Sequence, residues 1–212
     1  MHVGNSDTER RPTQAERRAR SRGAILEAAA RGLSRHGYGD LVLDEVAREA
    51  GYTRGALYHL FAGKEELALA VVQWVAATWE REVWQPAQRK GDPVEILVAL
   101  ARGHVVLCRR DVARVIMALR VEFGDRDHPV GRLVETITGA NAERFAALIA
   151  EGRRAGSIPA GPPAITLALA GLAAVEGLAI QLAGVTRHDT AMAERVIRGT
   201  LGVAPRPPRG AR

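Results

Sequence analysis

The chain has 212 residues, of which 47% are hydrophobic and 25% are charged. These values are ordinary for a globular protein, and they exclude a wholly disordered, collagen-like or mucin-like chain. Aromatic residues make up only 4%, whereas β-sandwiches and β-barrels normally depend on β-branched and aromatic residues. Because the chain is instead rich in Ala, Leu, Arg and Glu, which favour helices, composition predicts an all-α protein.

Cysteine content and apolar stretches indicate where the protein resides. Cys108 is the single cysteine, which excludes a disulfide framework and a multi-cysteine zinc site. Residues 1–22 are basic but contain no apolar segment of the kind that export signals need. The one stretch long enough to span a membrane, residues 164–185, is interrupted by Glu176 and Gln181, and an acid at the centre of a bilayer is costly. We therefore expect a cytoplasmic protein without a membrane span.

The net charge is +6, and the basic residues are unevenly distributed along the chain. Residues 10–22 contain six Arg and a single acid, Glu16. An arm of this kind can neutralise the phosphates of a nucleic acid, although by itself a solvated tail is the simpler explanation. Charge alone leaves both interpretations open.

A helix-start signal begins the first predicted element. Thr13 and Glu16 have the spacing of a capping box, in which each side chain satisfies a free backbone N–H at the start of a helix. The helix should run over about residues 14–35 because its apolar positions fall on one stripe. Gly37 follows as the residue that ends it.

Two short helices should come next, joined by a tight turn. Asp40 is placed to cap the second helix and Gly51 to end it. Thr53 is placed to cap the third helix, which should continue through Phe61. Two short helices joined by a tight glycine turn are the elements of a helix-turn-helix. The inward positions of the third helix are Leu57, Leu60 and Phe61, and the outward positions are Gly55, Tyr58, His59 and Ala62.

The remainder of the chain predicts further helices separated by Pro- and Gly-rich loops. A long fourth helix should run from Lys64 to about Trp84, with Pro86 and the QRKGDP loop, residues 88–93, ending it, and Pro93 should open a fifth. A Pro-rich basic tail at the carboxyl end should be disordered. Later helices are expected over about 111–123, 129–155, 164–183 and 189–201.

The segment LDEVAREAGYTRGALYHLFAGKEEL, residues 43–67, strongly resembles the DNA-binding head of TetR-family transcriptional regulators. The shared signature is a helix ending in Ala-Gly, a short recognition helix with Leu-Tyr and an aromatic residue, and Lys and Leu at the start of the next helix. Residues 51–58, Gly-Tyr-Thr-Arg-Gly-Ala-Leu-Tyr, look especially like the branch that regulates multidrug efflux. The resemblance is sharp over residues 29–67 and holds elsewhere only in outline.

The resemblance implies a division of the chain into four parts. These are a disordered basic arm over 1–12, a helix-turn-helix DNA-binding domain over 13–63, a ligand-binding and dimerisation domain over 64–202 and a disordered tail over 203–212.

The resemblance also assigns DNA contacts to seven residues, because the recognition helix of such a head enters the major groove. Each side chain taken singly could equally be a core or surface residue, but their joint spacing favours DNA binding. Val42 departs from the family, since many members have a phosphate-contacting Thr there. Leu60 also departs, because the family commonly has His at that position. The predicted phosphate contacts are Thr53, Tyr58 and Lys64, and the predicted base-edge contacts are Arg54, Gly55, Ala56 and His59.

The resemblance also implies a ligand pocket inside the C-terminal bundle. The fourth helix would transmit the state of this pocket to the DNA-binding head. Aromatic side chains suit the wall of such a pocket, although core packing explains them equally well. Polar residues in apolar helical stretches need a partner if they are buried, and for each one singly a structural or surface role is the simpler interpretation. The aromatic candidates are Trp74, Trp79, Phe123 and Phe145, and the polar candidates are His104, Cys108, Asn141 and Glu176.

Small residues in the penultimate helix predict a close approach of another helix. Ala170, Ala174 and Gly177 lie on one face, and an interior glycine is costly unless it serves such an approach. The resemblance makes this helix and the last one the interface of a homodimer. A two-fold dimer would present two recognition helices about 34 to 36 Å apart and would prefer a palindromic operator.

The resemblance therefore implies a dimeric repressor of transcription, released from its DNA operator by a small apolar or amphipathic molecule. The alternative is a DNA-bound interaction protein of the same fold without a small-molecule inducer. An enzyme finds little support, because the histidines are scattered without an HExxH motif, nucleophile elbow or phosphate loop. Cys108 and His104 are the one pair of residues that suggests a catalytic site. No cofactor or metal is expected.

Overall fold

The structure, a computed structural model, describes residues 13–182 and 189–204, and all regular secondary structure in these ranges is helical. This confirms the predicted all-α class. The predicted disordered arm, 1–12, lies outside the described residues, as does the predicted tail from residue 205 onward. The helices are α1 (Gln14–His36), α2 (Leu43–Glu49), α3 (Arg54–Leu60), α4 (Lys64–Trp79), α5 (Gln85–Gln88), α6 (Pro93–Leu107), α7 (Val115–Phe123), α8 (Pro129–Arg154), α9 (Ala164–Leu182) and α10 (Asp189–Thr200).

The capping box at the start of α1 forms as predicted. The Thr13 N–H donates to Glu16 Oε2 at 2.6 Å, and the Glu16 N–H donates to Thr13 Oγ1 at 3.1 Å. Gly37 ends the helix with φ 73°, a left-handed backbone that glycine adopts without strain. Local sequence signals therefore fix both ends of this helix.

The predicted cap of α2 is wrong. Val42, not Asp40, occupies the N-cap position, and its side chain makes no capping hydrogen bond. The helix starts late because Leu41 must first turn inward, where it is only 5% exposed. Leu41 packs so closely on α1 that a Cβ added to Gly32 would lie 2.6 Å from Leu41 Cδ1. Tertiary packing thus overrides the local capping signal.

The sequence predicts that the fourth helix ends at Pro86 and the QRKGDP loop; Pro86 does not end the helical run, whereas the loop does. A π-helical segment, Glu80–Trp84, joins α4 to α5, and the chain stays helical through Gln88. Proline has no N–H, and in a regular α-helix its ring would meet the carbonyl four residues back. Here the N–H of Gln85 donates to the carbonyl of Glu80, five residues back. This wider turn lets the helix pass the proline.

Two hydrophobic clusters hold the helices together. One contains the buried residues of α1, α2 and α3, including Ile25 and Leu57, with Leu67 and Val71 of α4. It extends into the C-terminal part through buried residues of α7 and α8, such as Phe123. The other is formed mainly by α6, α8, α9 and α10. Residues of α4 and α7 thus belong to the same core as the first three helices and pack against α1.

A buried carboxylate joins the end of α6 to the start of α10. Asp189 is 1% exposed, and Arg109 donates to its two oxygens from Nε at 2.9 Å and from Nη2 at 2.6 Å. The Arg109 guanidinium holds the pKa of Asp189 below its usual value. Bidentate arginine–carboxylate pairs have both the strength and the geometry to fix two elements against each other.

The variant Asp189→Asn should lower the free energy of unfolding by about 1 to 3 kcal/mol, because Arg109 loses a buried charged acceptor. Since the folded pKa of Asp189 is depressed, its stabilisation is present above the unfolded pKa, about 3.9. It is lost as the pH falls through the folded pKa. Urea denaturation of both proteins at neutral and acidic pH measures this.

The matched control is Glu27→Gln, since Glu27 forms an exposed pair with Arg31 at 3.3 Å. Its effect should stay within about 0.5 kcal/mol. A stability difference between Asp189→Asn and the parent chain that stays constant as the pH is lowered below about 3 would contradict the assignment.

Candidate functional site

The outer side of α3 is exposed, and its inner side is anchored in the core. Leu57 is fully buried and Phe61, which follows the helix, is 2% exposed. Thr53 caps the helix, because its Oγ1 accepts the N–H of Ala56 at 3.2 Å. Of the positions predicted to contact DNA, Ala56 is half-buried, and the exposed ones on or beside α3 are Thr53, Arg54, Gly55, Tyr58 and His59.

Arg54 is held by two neighbours on the head itself. Its Nη1 lies 3.2 Å from Asp44 Oδ2, and its guanidinium carbon lies 5.3 Å from the centre of the Tyr58 ring. Asp44, on α2, was not among the sequence-predicted site residues, and only its place beside α3 in the fold reveals it. Both members of the ion pair are more than half exposed, so the pair contributes little stability and can open.

Lys64 lies at the start of α4 and braces the turn between α1 and α2. Its Nζ donates to the carbonyl of Gly39 at 2.6 Å and lies 5.0 Å from the centre of the Tyr38 ring. An ammonium has three donors, so this contact leaves two of them for other acceptors.

A carboxylate on α7, in the C-terminal helical part of the chain that we call the body, binds the same turn. Glu122 on α7 accepts the N–H of Tyr38 at 2.5 Å and the N–H of Gly39 at 2.7 Å. A Cβ added to Gly37 would lie 2.6 Å from Glu122 Oε2, so this close approach needs glycine. We call Glu122, Lys64 and the turn residues Tyr38 and Gly39 the turn clasp.

Aromatic rings connect the turn clasp to the interior of the body. The Phe123 ring stacks on His128, with ring centres 4.4 Å apart, and Tyr38 meets both rings edge-on at 5.3 and 5.0 Å. Burial, reinforced by the charges of Glu65 and Glu122, raises the pKa of Tyr38, so its hydroxyl stays protonated at neutral pH. Phe123 also lines the large cavity of the body. It therefore contacts both the turn clasp and the cavity.

That cavity has a volume of about 860 Å³ and lies between α4, α6, α7, α8 and α9. Trp74 does not line it, and instead lines a separate cleft of about 80 Å³ and packs against the core of the first three helices. Trp74 and Trp79 are five residues apart, which places them about 140° apart around the helix. Only one of them can therefore face the cavity. The predicted residues that do line it are Trp79, His104, Cys108, Phe123, Asn141, Phe145 and Glu176.

Two neutral groups share one wall of the cavity. His104 Nε2 lies 3.5 Å from Cys108 Sγ. Burial lowers the pKa of His104 to about 4 and raises the pKa of Cys108 to about 12. Both groups are therefore uncharged at neutral pH. A cysteine nucleophile needs the thiolate, so the environment of this pair opposes the catalytic interpretation.

Two arginine–glutamate pairs also line the cavity. Arg144 donates to both oxygens of Glu80 at 2.8 and 3.2 Å, and its guanidinium carbon lies 3.4 Å from the centre of the Trp84 ring. Arg120 approaches Glu176 only to 3.8 Å. Sequence reasoning selected Glu176 alone from these four charged residues, since pairs this far apart in the chain leave no local pattern.

Comparison with known proteins supports the assignment of the head. Residues 25–71 match the sequence profile of the bacterial regulatory proteins of the tetR family. The uncharacterised HTH-type transcriptional regulator YxaF of Bacillus subtilis is 37% identical over 81 residues, which are 38% of this chain and 42% of YxaF. The HTH-type transcriptional regulator AcrR of Shigella flexneri is 33% identical over 104 residues, 47% of this chain and 48% of AcrR. The chain spans less than half the length of these curated relatives.

Among solved structures, that of AibR in complex with isovaleryl coenzyme A and operator DNA matches with a TM-score of 0.69. The match covers 87% of this chain and 100% of AibR at 19% identity, which shows a shared fold. That fold has an N-terminal helix-turn-helix and a C-terminal helical domain. The resemblance to the multidrug-efflux branch stays a prediction.

The variant Glu122→Ala should loosen the turn clasp. The two backbone N–H groups lose their carboxylate acceptor, and amide hydrogen exchange at Tyr38 and Gly39 should accelerate by about ten-fold or more. Exchange monitored by NMR measures this. In the control variant Glu135→Gln, which alters an exposed carboxylate on α8, exchange at the turn should be unchanged. Equal exchange rates in Glu122→Ala and the parent chain would show that Glu122 does not restrain the turn.

Proposed function

We propose, on the match of residues 25–71 to the tetR family of bacterial regulatory proteins, that the chain is a ligand-released repressor that binds a palindromic operator as a homodimer in the cytoplasm. The observation that carries the proposal is the position of Phe123. This side chain lines a cavity large enough for a small molecule and contacts the turn of the DNA-binding head. A well-packed bundle without a cavity would instead favour the alternative, a DNA-bound interaction protein without an inducer.

In the proposed complex α3 enters the major groove. Arg54 leaves Asp44 and pairs with a base edge, for which an arginine with guanine is the commonest partner. Tyr58, Thr53 and Lys64 contact phosphates and fix the register. Gly55, Ala56 and His59 then lie against the base edges.

Gly55 supports this arrangement. Its backbone φ is negative, and an added Cβ would meet nothing closer than Thr53 Oγ1 at 3.9 Å. The fold therefore does not require glycine here, although glycine inside a helix costs about 1 kcal/mol relative to alanine. Close approach of the backbone to DNA accounts for that cost.

Homodimerisation through α9 and α10 is supported by apolar surface that the monomer leaves uncovered. Ala170, Ala174 and Gly177 are exposed, and Ile180 is 60% exposed. By length and composition α9 could also cross a membrane, yet only 22% of its most apolar window is buried in the chain. It packs against α6, α8 and α10 and carries Glu176, so we assign its open face to a second copy.

We attribute release from the operator to Phe123, which lines the cavity and also contacts the turn of the head. A ligand in the cavity displaces Phe123 and α7, the turn clasp follows, and the two recognition helices of the dimer change their spacing. The ligand shifts this equilibrium only by its difference in affinity for the two states. AibR, which has the same fold, has been solved with both isovaleryl coenzyme A and operator DNA, which supports a fold that accommodates both kinds of partner.

The variant Arg54→Ala should weaken binding to the operator by about 1 to 3 kcal/mol and relax selectivity at one base pair, because a bidentate base contact is lost. Tyr58→Ala should weaken binding to all sequences about equally, because a phosphate contact is lost. Electrophoretic shift assays with the region upstream of the gene, and with single-base variants of the bound site, measure both.

The control is Arg154→Ala, which removes an exposed charge at the far end of α8 and should leave affinity and selectivity unchanged. If Arg54→Ala and Tyr58→Ala together leave operator affinity and selectivity intact in a folded protein, α3 is not the recognition helix.

The variant Ala174→Arg should convert the dimer to a monomer, since a long charged side chain replaces a methyl group in the proposed interface. Light scattering coupled to size-exclusion chromatography measures the mass. Gln88→Arg introduces an arginine at an exposed position of α5 and should leave the mass unchanged. A dimer that persists in Ala174→Arg would place the interface elsewhere.

A further inference from the structure

Two arginine–glutamate pairs line the cavity, and only one of them is joined by hydrogen bonds. Glu80 and Arg144 bond bidentately at 2.8 and 3.2 Å, and Arg144 also covers the Trp84 ring. This pair is electrically neutral and has its strongest partners within the chain. Its geometry is that of a structural pair and leaves no free charge for a ligand.

Glu176 has no comparable partner. Its nearest cation, Arg120, stays 3.8 Å away, which is beyond hydrogen-bonding distance. Within the described part of the chain the Glu176 carboxyl accepts no hydrogen bond. Glu176 is also the deeper member, since its side chain is 28% exposed against 55% for Arg120. The carboxyl therefore faces the cavity with its acceptor capacity open.

The groups around Glu176 do not supply the missing charge. Its negative charge reaches the Cys108 thiol, whose pKa it helps to raise to about 12. Beside the thiol, burial lowers the pKa of His104 to about 4, so the imidazole is neutral and can accept a hydrogen bond. Burial also raises the pKa of Glu176 itself, against the opposing effect of Arg120. At this wall the cavity thus offers acceptors, and the nearest cation, Arg120, is more exposed than Glu176.

We propose that the cavity binds a molecule with an apolar body and a cationic amine head, the head bound by the Glu176 carboxylate and the body by the apolar wall. This rests on the proposed function of the cavity as the ligand site. An anionic head would be repelled by Glu176 and would find Arg144 already engaged, so that only Arg120, which is more exposed than Glu176, could bind it. An uncharged head would leave Glu176 with Arg120, 3.8 Å away, as its nearest counter-charge. Apolar wall residues available to the body include Trp79, Leu100, Met117, Phe145, Leu172 and Val175.

Three probes with the same alkyl chain and different heads test the proposal: octylamine, octanol and octanoate. Isothermal titration of the intact chain at neutral pH should give the tightest binding for octylamine. Its dissociation constant should be lower than that of octanoate by about ten-fold or more, as expected for a charge-assisted hydrogen bond in a partly desolvated site. The variant Glu176→Gln, which keeps the shape of the side chain, should remove most of this preference.

The matched control is Glu135→Gln, because Glu135 is a second carboxylate lining the cavity but is exposed. It should change the octylamine affinity by less than about two-fold. Octanoate binding as tightly as octylamine to the unaltered chain would overturn the proposal, as would the absence of octylamine binding. An unchanged preference in Glu176→Gln would also overturn it. The comparison of probes on the unaltered chain needs no variant to fold.

Operator binding, measured separately by electrophoretic shift, distinguishes this proposal from the proposed function. Octylamine that binds through Glu176 without weakening the operator complex supports the cavity proposal and refutes release by a cavity ligand. An operator complex that forms with a chain that does not bind octylamine refutes the cavity proposal and leaves DNA binding intact.

Discussion

One carboxylate of α7 restrains the helix-turn-helix relative to the body. Glu122 accepts two adjacent backbone N–H groups of the turn between α1 and α2. The next residue, Phe123, lines the cavity. Two consecutive residues on α7 therefore contact the head and the cavity, so α7 connects the two. Lys64, which binds the same turn from α4, adds a second connection from a helix that also lines the cavity.

Within the cavity, local geometry decides which charges are structural and which are available. Arg144 has a bidentate carboxylate and an aromatic face, and these contacts fix its position. Arg120 is more than half exposed and reaches Glu176 only at 3.8 Å. Two pairs of identical composition thus differ in geometry, because one is joined by bidentate hydrogen bonds and the other is not. In the proposed ligand site a bound molecule would meet the second pair together with neutral His104 and Cys108.

The structural features that depend on neighbouring residues could be predicted from the sequence. The capping box at Thr13, the cap at Thr53 and the inward position of Leu57 follow from spacing within a few residues, and the structure has all three. Sequence reasoning failed where contacts between distant segments decide. Burial of Leu41 delays the start of α2 and displaces Asp40 from the cap. A π-helical turn carries the helix past Pro86, and the partners of the turn clasp are 83 and 84 residues apart in the chain. Seven of the eight predicted ligand residues line the cavity, because polar or aromatic groups in apolar helices are conspicuous. Arg120, Arg144 and Glu80 were missed because ordinary surface charges look the same.

The unusual composition of α9 follows from the three surroundings that it meets. One face, with Leu172 and Glu176, lines the cavity. A second face packs on α10, where a Cβ added to Gly171 would lie 3.3 Å from Ile197 Cδ1. The third face, with Ala170 and Ala174, is exposed in the monomer and lies against a second copy in the proposed dimer. In the proposed dimer α9 would be covered on every side, which accounts for its being apolar around its circumference and for its resemblance to a membrane span by composition. In that dimer a displacement of the cavity face of α9 would also displace its outer face, so the geometry of the interface would depend on what the cavity contains.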